Sequence, residues 1–138
     1  MAASVEFEDD NGQVVRYVRH ANGGGLVSPR ARVHEAAMVA STAYVEAGAQ
    51  VGDGSRIGAG SWLDHDVIVG KDVVVAGNVH LGPRTRAEDG TWIGTGARVG
   101  SDVVIGRGAR VAPDAFVRDA AVVRRRTGSG RSEFGIAA

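Results

Sequence analysis

Large aliphatic residues return every six positions along most of this chain. Written in hexads from Val27, it reads VSPRAR, VHEAAM, VASTAY, VEAGAQ, VGDGSR, IGAGSW, LDHDVI, VGKDVV, VAGNVH, LGPRTR, AEDGTW, IGTGAR, VGSDVV, IGRGAR, VAPDAF, VRDAAV and VRRRTG. The first position is Val, Ile or Leu in every hexad except at Ala87, and the fifth is always Ala, Ser, Thr or Val. Neither a helical period nor plain strand alternation produces a sixfold rule with two distinct sizes of inward residue. A unit of short strand, turn and corner has to recur instead, and a fixed period held over this length is the mark of a solenoid. The fourth position is mostly Gly, Asp or Asn, the residues that tolerate left-handed or tight-turn backbone.

From Val27 to about Val123 this pattern resembles the hexapeptide-repeat proteins. The resemblance implies an all-β chain folded as a single-stranded left-handed parallel β-helix of about five coils. Three hexads make each triangular coil in that family, so residues eighteen apart stack at roughly the 4.8 Å spacing of neighbouring strands. Large first-position and small fifth-position residues then fill a narrow prism from inside. Solenoid ends need caps against edge pairing, and residues 4–19 read as a β-hairpin around Asn11-Gly12 that supplies the lower one. The expected organisation is a hairpin cap over 1–26, the β-helix over 27–123 and a tail over 124–138, whose closing EFGIAA is able to dock on a neighbouring surface. The entry segment YVRHANGGGLV is also similar to that of a group of hexapeptide proteins sharing an HxxGGGxV motif, an analogy of fold rather than of activity.

Composition narrows the function. The chain has 138 residues, 43% of them hydrophobic, which suits one domain with a genuine core. Lys plus Arg equals Asp plus Glu at 16 each, so no net field recruits nucleic acid or acidic lipid. The absence of cysteine removes disulfides, thiolate nucleophiles and cysteine-based zinc sites together. The opening MAASVEFEDD is acidic, lacks an apolar core, and no run of about 18 apolar residues occurs, so the expectation is a cytoplasmic protein without a membrane span.

Stacking by eighteen turns the outward sixth positions into columns. One holds Tyr44, Trp62, His80, Arg98 and Phe116; another Met38, Arg56, Val74, Trp92 and Arg110; the third Arg32, Gln50, Ile68, Arg86, Val104 and Val122. Aligned apolar and aromatic surface of this extent predicts a partner. Packing around a threefold axis, as the resemblance implies, makes the expected assembly a homotrimer.

Chemistry is suggested where Asp64, His65 and Asp66 occupy turn positions that hold GDG and GAG in the two preceding hexads. His65 falls at an outward corner, with Ala47 below and Pro83 above, so nothing large covers its ring. The segment LDHDVIVG resembles the part of the sialic-acid and bacillosamine-type sugar acetyltransferases that carries the catalytic base, and AGNVHLG, Ala76 to Gly82, is similar to their AGNV segment. The resemblance implies that His65, oriented by Asp64 or Asp66, deprotonates a hydroxyl or amine that attacks an acyl thioester. Acetyl-CoA or another acyl-CoA would be the donor, with Arg107, Arg110 and Arg124 as the cations expected to hold its phosphates. A plainer reading sets Asp66 with Arg84 and Asp102 in a surface ion ladder. No metal is expected: His34, His65 and His80 lack the close spacing by which related γ-class carbonic anhydrases hold zinc. Two function classes remain, a coenzyme-A-dependent acyltransferase and a non-catalytic trimeric scaffold or binding module.

Overall fold

The computed structural model describes residues 4–126; the expected tail from 127 onward, EFGIAA included, lies outside them. Among the described residues every regular element is a strand. β1 (Ser4–Glu8) and β2 (Val14–Arg19) form an antiparallel hairpin in which Ser4 faces Val18 and Glu8 faces Val14. The Asp9 carboxylate accepts from the backbone N–H groups of Asn11 and Gln13 at 2.9 and 2.8 Å, closing the turn. β2 then pairs antiparallel with β3 (Leu26–Val27), so the hairpin extends one face of the coiled region.

From β3 onward the chain is a parallel β-solenoid of about five turns. Each hexad contributes a two-residue strand, and strands three apart in order pair in parallel register, Tyr44 beside Trp62 and Trp62 beside His80. Three sheets result. The first runs from the hairpin and β3 through β6 (Tyr44–Val45), β9 (Trp62–Leu63), β12 (His80–Leu81) and β15 (Arg98–Val99) to β18 (Phe116–Val117). The second spans β4 (Arg32–Val33) to β19 (Val122–Val123), and the third β5 (Met38–Val39) to β17 (Arg110–Val111).

First-position side chains such as Ile57, Leu63, Leu81 and Ile93 are fully buried, as are fifth-position Ala43, Val67, Val73 and Val79. They form one continuous core, the interior the two residue sizes predicted. The fourth position takes positive φ in every hexad from Gly48 to Ala120. Asp and Asn tolerate that region, whereas Arg84 (φ 63°) and Ala120 (φ 63°) adopt it against their own preference, held by the coils on either side. Entry to the first coil depends on glycine for space. A Cβ on Gly23 would stand 2.2 Å from the Val39 carbonyl oxygen, and one on Gly25 would stand 2.1 Å from the Val39 side chain. His20, the first residue of the HxxGGGxV motif, bonds the Ala37 carbonyl through Nε2 at 2.8 Å and so ties the hairpin to the coil.

Candidate active site

Asp64 and His65 follow directly on β9, at the corner between the first and second sheets. The Asp64 side chain is buried and accepts from three N–H groups. Its Oδ1 receives the His65 backbone N–H at 2.8 Å and the His65 ring Nδ1 at 2.9 Å, and its Oδ2 receives Nε2 of His80 at 3.1 Å. Burial alone would raise the Asp64 carboxyl, but the hydrogen bonds from the His65 ring and backbone, and then from His80, outweigh it and hold the group below its ordinary value. An ionised carboxylate only accepts. His65 therefore carries its neutral-state proton on Nδ1, leaving the Nε2 lone pair on a ring whose side chain is 58% exposed.

Of the two acids that flank His65, the structure brings Asp64 against its ring, and it adds His80, which the sequence reading did not include in the site. Asp64 supplies the orienting carboxylate. Asp66 turns away on left-handed backbone (φ 62°), with its carboxylate over Gly48, and makes no hydrogen bond to His65. The expected ladder is present in part: Arg84 binds Asp102 with two bonds of 2.8 and 3.0 Å, whereas Asp66 acts on Arg84 only through a weaker Coulombic attraction and is not among its hydrogen-bond partners. Asp66 sits a coil below Arg84, and the guanidinium turns upward to meet the acid above it.

Around the histidine pair the side chains interlock. The His80 ring stacks on Trp62 with centroids 4.2 Å apart and planes 15° from parallel. The Trp62 indole N–H donates to Glu46 at 2.8 Å, and the other Glu46 oxygen accepts from the Tyr17 hydroxyl at 2.8 Å. Burial first, and then the Glu46 carboxylate, push the Tyr17 hydroxyl well above its ordinary pKa. Tyr17 also packs edge-on against Phe7 and Tyr44, so the hairpin covers the lower end of the aromatic column. One offset governs both acid contacts: Glu46 reaches Trp62 and Asp64 reaches His80, each sixteen residues ahead.

Above the pair lies an open groove of about 470 Å³, lined by His80, Pro83, Arg98, Ser101 and Phe116 among others. Arg107, Arg110 and Arg124 are elsewhere. Arg107 stands at the corner after the second sheet, 4.0 Å from Asp89; Arg110 lies on the third sheet with its guanidinium 5.1 Å from the Trp92 ring; Arg124 follows β19. Within one prism none of the three shares the His65 corner. His34 is also on another corner, 3.9 Å from Asp53, and among the described residues no three His, Cys, Asp or Glu side chains group as metal ligands. No helix of the described residues is long and apolar enough to cross a membrane.

The family model of the bacterial transferase hexapeptide (six repeats) matches residues 88–119, on the coils above His65. No curated protein matches the chain. Among solved structures it is similar to a His-to-Ala mutant of GDP-perosamine N-acetyl transferase from Caulobacter crescentus in complex with CoA and GDP-perosamine, at 26% identity and TM-score 0.69 over 72% of this chain and 47% of that one. It is likewise similar to PerB from Caulobacter crescentus in complex with CoA and GDP-perosamine, at 25% identity and TM-score 0.71 over 72% of this chain and 48% of that one. The acetyltransferase domain of PglB from Neisseria gonorrhoeae FA1090 shares the fold, at 24% identity and TM-score 0.70 over 76% of this chain and 51% of that one. The chain thus spans about half the length of these structures.

Proposed function

We propose that the protein is an acyltransferase that moves an acyl group, acetyl in the simplest case, from coenzyme A to a hydroxyl or amine, with His65 as general base. The observation that carries this reading is a buried, ionised Asp64 that bonds the His65 ring by Nδ1 at 2.9 Å and leaves Nε2 free on a ring whose side chain is 58% exposed. That lone pair takes the proton of the acceptor as its oxygen or nitrogen attacks the thioester carbonyl. The new carbon–oxygen or carbon–nitrogen bond forms, the carbon–sulfur bond breaks, and the imidazolium returns its proton to the departing thiolate. The transferase hexapeptide match and the CoA bound in the two Caulobacter crescentus structures support acyl transfer as the class of reaction.

An exposed corner holds a long donor poorly, and positioning is where such a reaction gains most of its rate. In this proposal the cleft is completed by a neighbouring copy in a homotrimer. The outward apolar residues Trp62 (41% exposed), Val104 (36%), Phe116 (77%) and Val122 (55%) support that packing. Arg107, Arg110 and Arg124 then serve the donor phosphates from an adjacent prism, since their own prism sets them around a different corner from His65. Asp66 completes the polar rim of the cleft. An acyl-CoA donor places the chemistry in the cytoplasm. Calorimetry with acetyl-CoA, joined to light scattering on the same sample, tests the reading. Saturable binding at a trimer mass is expected, and no heat at millimolar ligand would leave the non-catalytic scaffold as the better account.

A further inference from the structure

Among the features that the proposed transfer does not use, the second imidazole on Asp64 is the one bound most tightly into the structure. A carboxylate that receives a single ring N–H can rotate, and the ring it orients can then exchange tautomers. Here one oxygen is pinned by the His65 backbone and ring and the other by His80. His80 is in turn fixed by strand register, which sets it directly above Trp62, and by the ring stack on that indole. Trp62 cannot slide, because Glu46 holds its N–H and Tyr17 holds Glu46. The polar handles of this column are thus satisfied in series from the hairpin cap to the corner, and no buried side-chain nitrogen or oxygen among the described residues is left without a partner.

We infer that His80, clamped on Trp62, is a positioning residue for His65: by donating Nε2–H to Asp64 Oδ2 it locks the carboxylate, and through it the Nδ1–H tautomer that leaves the His65 Nε2 lone pair free. The inference rests on the proposed role of His65 for its functional meaning, but not for its structural content. A base presented in the wrong tautomer offers a proton where a lone pair is needed, which is why groups that fix a tautomer matter to general bases. The AGNVHLG segment thereby contributes through its histidine, and the hairpin acts as a brace for the corner rather than as an end cap alone.

The test reads the tautomer itself. Long-range proton–nitrogen NMR spectra of the imidazoles are recorded on the full chain as wild type, His80→Phe, His80→Gln and Trp62→Leu, above the pH at which the rings protonate. Wild type should show His65 as a single Nδ1–H form. His80→Phe keeps an aromatic ring on Trp62 but donates nothing, and should give a mixture of His65 tautomers. His80→Gln, with an amide donor, should restore much of the wild-type ratio, and Trp62→Leu should give an intermediate one. In the acyl-transfer assay His80→Phe should lower kcat about tenfold with little change in KM, less than the loss of about 10²-fold or more expected when the base itself is removed. An unchanged His65 tautomer ratio in both His80→Phe and Trp62→Leu overturns the inference, and does so even if His65→Ala abolishes transfer. A ratio that follows His80 in a wild type without transferase activity upholds this inference and refutes the proposed function instead.

Discussion

Replacing Ser61 with alanine removes one buried hydroxyl and should weaken the solenoid by far more than a single exposed hydrogen bond would. Ser61 is fully buried at a fifth position. Its Oγ donates to the Ala76 carbonyl at 2.6 Å and accepts from the Val79 N–H at 3.0 Å, one coil above. In hexads with alanine at the fifth position, that N–H instead closes directly on the second-position carbonyl, as Ala97 does on Gly94 at 3.2 Å and Ala109 on Gly106 at 2.9 Å. Where valine stands above a hydroxyl the turn opens and the hydroxyl is inserted, at Ser55 beneath Val73 and Thr85 beneath Val103 as well as here. Val67 shows the alternative. It stands above Ala49, which has no hydroxyl, and its N–H reaches the Asp64 carbonyl only at a stretched 3.4 Å.

Ser61→Ala therefore faces two outcomes. If nothing relaxes, two buried groups are orphaned at about 1–3 kcal/mol each. If the turn closes to the stretched geometry of Val67, most of one bond is recovered. The balance predicts a loss of about 2 kcal/mol, which for a domain of this length corresponds to roughly 6–8 °C in Tm. Urea and thermal unfolding followed by circular dichroism measure it, with Ser61→Thr as the control that retains the hydroxyl. A loss below about 0.5 kcal/mol, the range of an ordinary surface substitution, would refute the claim that the hydroxyl is a structural member of the coil.

Gly58→Ala should destabilise by at least about 1–3 kcal/mol, because a Cβ there would stand 2.6 Å from the Ala76 carbonyl carbon of the next rung; equilibrium unfolding checks it. The Asp64 carboxyl is lowered in the folded state, so its contribution is present above the ordinary carboxylate range, near 3.9 for an unfolded Asp, and is lost as pH falls through the folded value. Unfolding of Asp64→Asn should accordingly differ from wild type most at neutral pH and converge with it in acid. Tyr17 has the opposite sign: its hydroxyl is raised, so the folded state keeps a proton that the unfolded chain gives up above about pH 10. Stability should then fall on alkaline titration more steeply in wild type than in Tyr17→Phe.

Much of the fold was legible because burial repeats. A prism that admits one large and one small side chain per hexad writes that rule into every first and fifth position, and even Ala87 is fully buried on schedule. The hairpin was readable from its Asn-Gly turn for the same local reason. The candidate site was legible only where its parts are adjacent in sequence, as Asp64 and His65 are. His80 was visible as a member of the Trp62 column, but its bond to Asp64 crosses diagonally between coils, sixteen residues rather than eighteen away, and depends on a side chain leaning from the corner onto the face. Stacking alone does not reveal such a lean. Which of the two flanking acids meets the His65 ring likewise depends on backbone conformation, since left-handed φ at Asp66 aims its carboxylate down at Gly48.

The most direct measurement is thiol release from acetyl-CoA, with a panel of amine and hydroxyl acceptors, by wild type and His65→Ala under identical conditions. Wild type should turn over with at least one acceptor, and His65→Ala should lose about 10²-fold or more in kcat while keeping its assembly and its affinity for the donor. Equal turnover by the two proteins would contradict the assignment of His65 as the base.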